Sequence, residues 1–398
     1  MFSKKLALSA VTLSLLATSS MANVGQTHHG ESLSHALEAS DVSVSFRGRY
    51  ETVDQENMSL GADGVTLKSR LSVATGRFHS FSMGVEVDNV FAILDDYNDT
   101  TNGLTKYPVI ADPENTDINL AYIKYSTSNF RTVVGRQRIE HGDHRFVGNS
   151  GWRQNEQTFD GLRVQYKNSG FELDYSYVSN INNTLGEDDK GDFHLANLSY
   201  SLNKSNVLSL YGYMLDFEDT PWRSSSTYGV SYAGKFGGLI INAGAAQQSD
   251  NAENMTAYSA TYLNAELGYK FPLGDFTVLG GYELLGSDNG VSFQTPLATG
   301  HKFQGWADQF TQTPGTGLED IYLTLTGKMF VFDLEVGYHD YVSDADGKDM
   351  GNEVNALIGY KINDNYHALI KYASYTAGSV DYGKTDTDKV WVQFSASF

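Results

Sequence analysis

The sequence predicts an all-β fold: a closed antiparallel transmembrane β-barrel of about eighteen strands. Three observations predict it. Apolar and polar residues alternate with period two from residue 42 to the end of the chain. The alternating segments are each about ten residues long, which a tilted strand needs to cross a hydrocarbon layer. Short and long connections follow one another in strict turn.

The elements read in order. Lys4 and Lys5 precede an apolar run from Leu6 to Ala17, and Ser20-Met21-Ala22 offers small residues for cleavage. Residues 1–22 therefore read as a signal peptide, its apolar core being too short for a membrane helix. Residues 23–40 read as a periplasmic N-terminal segment, in which Glu31 to Ala39 can form a helical turn or plug the lower mouth. Its His28, His29 and His35 are a weak metal candidate, since a polar leader explains them equally well. The barrel spans 41–398.

Along the barrel, Val42, Val44, Phe46 and Tyr50 share one parity against Ser43, Ser45, Arg47 and Arg49. The same pattern opposes Phe332, Leu334, Val336 and Tyr338 to Asp333, Glu335 and His339. Strands are expected at 42–51, 65–75, 80–89, 117–126, 130–139, 158–167, 171–180, 192–202 and 206–216. Nine more follow at 226–234, 238–248, 257–270, 275–286, 317–327, 329–341, 353–362, 366–376 and 387–398. After even strands the links are short, as at Asn168-Ser169-Gly170. After odd strands they are longer, mostly polar and acidic, as at 90–116, 140–157 and 287–316. Tight periplasmic turns and long extracellular loops produce this pattern. Phe159 and Asp160 break parity, one turning to the lumen and the other to lipid, so a bulge is expected there.

Composition agrees. Tyr (25), Phe (21) and Gly (39) are abundant, Pro is scarce (6) and Cys is absent, so disulfides play no part. Only the lipid-facing half of a barrel strand must be apolar, which keeps mean hydropathy low. A net charge of −20 argues against nucleic acid. A propeller would show a repeat of roughly 40 residues, and none is present. A sandwich would need aliphatic inner faces where this chain has Arg and Glu.

If the polar parity faces water, Arg47, Arg49, Lys68, Arg70, Arg136, Arg138 and Arg163 form a basic band on the pore wall. Guanidinium groups there suit carboxylate and phosphate. Glu86, Asp88, Asp333 and Glu335 are acidic pore-lining positions, joined by Glu172, Asp174, Glu266 and Glu283. Such charges either set up a transverse field or pair across strands and stiffen the wall. A barrel this wide leaves an aqueous channel unless something narrows it. The candidate constriction loops carry Trp152, Arg153, Asn155 and Gln157, and His301, Phe303, Trp306 and Asp308. Aromatic rings beside amides and charges suit sugar rings; the alternative is that they lock the loops together over the mouth.

Several strings resemble the alginate-export-like porin family: Gly135 to Ile139, Phe146 to Asn149, Gly151 to Asp160, His301 to Phe310, and Tyr107 to Glu114. The resemblance implies an eighteen-stranded outer-membrane channel. The family is named for members that export anionic alginate through a basic lumen, and this chain is shorter and more acidic than such an exporter would be. The expectation is therefore a porin for small hydrophilic solutes, anionic or oligosaccharide in character. A dedicated exporter of an anionic polysaccharide and a surface adhesin with a blocked lumen are the alternatives.

The expected partners are outer-membrane lipid and lipopolysaccharide, the barrel-insertion machinery through the last strand with Phe398, and the solute. No cofactor is implied. Asp344, Asp346 and Asp349, and Glu187, Asp188, Asp189 and Asp192, lack the spacing of a calcium loop. No nucleophile–base motif supports an enzyme.

Overall fold

The computed structural model describes residues 29–30, 32–272, 275–379 and 382–398. The expected signal peptide, His28 and Glu31 lie outside the described residues. A short helix α1 (Leu33–Glu38) is capped by Ser32, whose hydroxyl accepts the His35 N–H. It packs Ala36 against the first short turn, where the Gly76 N–H bonds the Ala36 carbonyl at 2.9 Å.

Eighteen strands of the described chain form one closed antiparallel barrel. They are β1 (Asp41–Gln55), β2 (Ala62–Ala74), β3 (Phe81–Asp96), β4 (Asn115–Ser126), β5 (Phe130–Gln137) and β6 (Thr158–Asn168). Next come β7 (Phe171–Asn182), β8 (Asp188–Asn203), β9 (Asn206–Phe217), β10 (Ser225–Phe236), β11 (Leu239–Asp250) and β12 (Ser259–Lys270). The last are β13 (Thr277–Leu285), β14 (Leu318–Met329), β15 (Phe332–Val342), β16 (Asp349–Lys361), β17 (Tyr366–Thr376) and β18 (Thr387–Ser397). Each pairs with its sequence neighbours, and β1 pairs with β18 from Ser45↔Ser397 to Gln55↔Thr387, which closes the ring. Closure satisfies every strand's backbone within the sheet, as a hydrocarbon environment demands.

All eighteen expected segments are strands, but several run longer on the side of the long loops. β3 continues to Asp96 and β8 starts at Asp188. Backbone pairing needs no apolar alternation once the hairpin clears the membrane, so the sequence pattern fades before the ladder does. On the opposite side the turns are tight. Ser169 and Gly170 both have positive φ, 48° and 89°, matching the twist of the flanking strands.

Parity behaves as an inside-out protein requires. Outward residues are exposed and apolar: Met83, Val85 and Val87 on β3, Ile321, Leu323 and Leu325 on β14. Inward residues are buried and polar, such as Ser82, Glu86 and Asp88. Aromatic pairs ring the short-turn side, with Phe171–Tyr200 at 4.4 Å and Phe81–Tyr125 at 5.0 Å between centroids. At the other boundary, outward tyrosines donate to carboxylates: Tyr50 to Asp63 (2.6 Å), Tyr177 to Asp192 (2.5 Å) and Tyr372 to Asp388 (2.8 Å). Two such girdles mark the limits of a membrane-embedded band.

Candidate functional site: a loop-filled lumen

The long connections 138–157 and 286–317 fold into the barrel and meet there. Val147 bridges Leu297, the Gly148 N–H donates to the Leu297 carbonyl (2.9 Å), and the Thr299 N–H donates to the His144 carbonyl (3.1 Å). Gln157 extends its amide to the Gly148 and Leu297 carbonyls at 2.8 and 3.1 Å. Irregular backbone inside a barrel leaves carbonyls without ladder partners, and such groups must find donors. The arginines of β1 supply them. Arg47 donates to the Gly151 carbonyl and the Gln154 side chain, each at 2.9 Å, and to the Arg153 carbonyl. Arg49, 2% exposed, reaches the Trp152 carbonyl at 2.5 Å, Gln393 at 2.8 Å and Asp112 at 3.2 Å. Asn155 bonds the Pro113 carbonyl (2.9 Å), tying in a third loop.

Next to this lies a six-member charge cluster. Lys68, Arg70 and Arg138 face Glu86, Asp88 and Glu156. Arg70 grips Asp88 bidentately at 2.7 and 2.6 Å and also contacts Glu156 and Glu86. Arg138 holds both oxygens of Glu156 (2.5 and 2.8 Å) and pairs with Glu86, while Lys68 lies 2.9 Å from Asp88. Burial alone would raise the Glu156 carboxyl; Arg138 and Arg70 override it and hold it well below the usual carboxylate range. The ligand atoms of Glu86, Asp88 and Glu156 lie within 4.8 Å of one another. Three cations already neutralise them, so a metal ion would have to displace strong pairs.

A second constellation gathers the aromatic loop residues. Trp152 stacks on His301 at 4.8 Å and 4°. His301 donates from Nδ1 to Asp308 (2.7 Å) and accepts at Nε2 from Lys371 (2.7 Å), the arrangement of a neutral imidazole. Burial lowers the His301 imidazole well below its ordinary value, although Asp308 opposes that shift. Asp308 in turn pairs with Arg153 at 2.5 Å and Lys389 at 3.3 Å. The Lys371 ammonium sits 3.8 Å from the Trp306 ring centre, 4.2 Å from Trp152 and 5.5 Å from Trp391. Glu353 accepts the Trp306 and Ala307 N–H groups at 2.5 and 2.9 Å. Gly305, with φ +79°, packs where a Cβ would strike that carboxylate.

The remaining expected residues fall in separate places. Phe303 lies under the Arg145 guanidinium at 4.7 Å, and Arg145 pairs with Glu283 at 2.6 Å. Arg163 pairs with Asp174 at 2.5 Å. Asp333 is inward but low, bound to its ladder partner Lys328 near the end of β14 at 2.9 Å. Glu335 shares the inward parity and lies within the field of Lys371, His339 and Lys302. Arg136 corrects the expected basic band. It shares the outward parity of Phe130 and Val134 and grips Asp160 at 2.8 and 3.0 Å and Asp117 at 3.0 Å. The bulge expected near Phe159 is present: the β6–β7 register shifts between Asp160 and Gly161, with Phe159 fully buried inside. Along the rest of the band the pairing reading is the one the geometry matches: Arg47, Arg49, Lys68, Arg70, Arg138 and Arg163 are all bound by carboxylates or loop carbonyls.

The acidic loop clusters do not converge. Asp344 accepts the Ser287 N–H, Asp346 pairs with Lys348, Asp349 caps Gly351, and Asp189 pairs with Arg223. Sequence reading missed Lys371, Lys389, Trp391 and Gln393. Their inward parity on β17 and β18 was the available signal.

The sequence profile described as alginate export matches residues 39–274, more than half of the chain. The chain belongs to the alginate export family. No curated protein matches this family member. Its barrel is similar to Pseudomonas aeruginosa OpdO, with a TM-score of 0.69 at 15% identity over 92% of this chain and 98% of that one. It is also similar to P. aeruginosa OpdK with vanillate, with a TM-score of 0.71 at 14% identity over 91% and 99%. P. aeruginosa OccD3 (OpdP) aligns with a TM-score of 0.67 at 14% identity over 91% and 92%. At such identities the likeness concerns fold, and the fold is that of an outer-membrane porin.

Proposed function

We propose that this alginate export family member is an outer-membrane channel for small hydrophilic solutes, with a preference for anions. The observation that carries the reading is the lining. The two infolded loops meet the wall through charges, amides and indoles, whereas loops that merely sealed a barrel would need only an apolar plug. Passage is diffusive, and the cluster around Glu156 and the cage around Lys371 flank the route. The vanillate in the OpdK structure is an aromatic carboxylate. This supports an anionic substrate class. The activity is transport rather than catalysis.

In this reading residues 1–22 are a secretory leader, residues 23–40 a periplasmic segment, and the outward Phe394 of β18 with the terminal Phe398 just after it a contact for insertion machinery. Lipid and lipopolysaccharide cover the outward parity. Single-channel recording in planar bilayers, followed by liposome swelling with neutral sugars and uronates, tests the proposal. Stable conductance and faster uronate entry are expected. Folded protein that never conducts would instead favour a surface adhesin.

A further inference from the structure

The neutralised belt leaves open where free positive charge faces the lumen. It lies nearer the short turns. Lys124 on β4 faces inward opposite Ser82, four residues along β3 from Glu86's position, or about 13 Å of strand. Arg131 on β5 shares that face, one diagonal step away, since Ser126 pairs with Arg131 and Lys124 with Val133. Arg77, from the turn before β3, is close enough to repel both. Among the described residues none of these three cations has a carboxylate within ion-pair distance, whereas every cation of the belt has a carboxylate or loop carbonyl. Tyr122 completes the group. Its ring centre is 5.9 Å from the Lys124 ammonium. The ring lies flat on Gly84, where a Cβ would stand only 2.5 Å from it. A glycine beneath an aromatic ring fixes the ring's orientation on the wall.

Three like charges held together cost free energy unless something of opposite sign attends them. Ordinary wall packing would pair them, as it does at Arg70 and Arg163. We propose that Arg77, Lys124, Arg131 and Tyr122 form a docking site for carboxylate-bearing solutes on the short-turn side of the loop plug. The cations hold the carboxylate and the tyrosine ring supports the body of the molecule. The site rests on the channel reading and deepens it by placing the anion preference at one position. Solute meets it before or after the neutral belt according to the direction of travel.

The test uses full-length channels in planar bilayers with benzoate and glucuronate as blockers. The K124Q/R131Q variant should bind either blocker at least about fivefold more weakly, each lost charge-assisted hydrogen bond being significant. Its reversal potential in a KCl gradient should move toward cation preference. R136Q, altered on the outward face, should match the wild type in both. Unchanged block and reversal potential in K124Q/R131Q would overturn the site while leaving the channel intact. If folded wild-type protein carries no current, the channel reading fails on its own. Calorimetric titration of benzoate into wild type and K124Q/R131Q in detergent then decides the site separately, equal affinities overturning it.

Discussion

The Lys371 ammonium on β17 stands 3.8 Å from the centre of the Trp306 ring, carried by a loop that left the barrel wall at Leu285. One wall cation thereby anchors an infolded loop. Trp152 from the other loop and Trp391 from β18 complete the enclosure. A desolvated ammonium over indole faces is worth about 2 kcal/mol or more, enough to decide whether a loop stays docked.

Replacing Lys371 by Met should release that anchor. Three of the four tryptophans line the cage, so the variant's emission should shift to the red and its loops become protease-sensitive. Unchanged emission in folded protein would show that the loops are held elsewhere, through Arg47 and Arg49.

His301 should make loop docking sensitive to acid. Burial lowers the imidazole below its ordinary 6.5. As pH falls below 6.5 the undocked imidazole takes up a proton that the docked one refuses, so stability of the docked state declines with falling pH. Single-channel records should show more frequent transitions to a higher conductance as pH drops from 7.5 toward 5. H301Q should flatten that dependence.

Glu156 should behave in the opposite chemical sense but with the same slope. Its folded carboxyl is held below the ordinary 4.5, so its contribution is complete above that value and is lost as pH falls further. E156Q leaves Lys68, Arg70 and Arg138 facing two carboxylates. Breaking such a buried network costs about 3 kcal/mol, and the surplus positive charge should move the reversal potential toward anions. An unchanged reversal potential would mean that the cluster lies off the ion path.

Arg136→Ala should leave ion selectivity untouched. Its guanidinium is committed to Asp160 and Asp117 on the outward parity. A measurable change in reversal potential would place it in the lumen after all. Chemical denaturation should nevertheless report weaker pairing between β5 and β6.

Much of this was legible in the chain. Parity at Val42 to Tyr50 and at Phe332 to His339 assigned lipid and lumen faces correctly, because alternate side chains of a strand point to opposite sides regardless of neighbours. Even the anomaly at Phe159 and Asp160 announced its bulge. Arg136 went wrong through its likeness to Arg138, although Phe130 and Val134 already fixed its parity. Arg138 reaches the lumen only because β5 ends at Gln137. Strand ends beyond the membrane were also illegible, as with β3 reaching Asp96, since pairing there leaves no hydropathy signature.

The amino-acid order alone determined that this protein is a ring of membrane-crossing strands, where its turns lie, and which parity of most strands faces lipid. Period-two chemistry is local, and each segment carries its own record of it. Which inward charges are spent on one another, and which stand free, was decided only in three dimensions. Glu156 lies 86 residues from its Arg70 partner, and Lys371 lies 70 from His301. Infolded loops set those meetings by bringing irregular backbone to a wall that must satisfy it, and no spacing in the chain encodes that encounter.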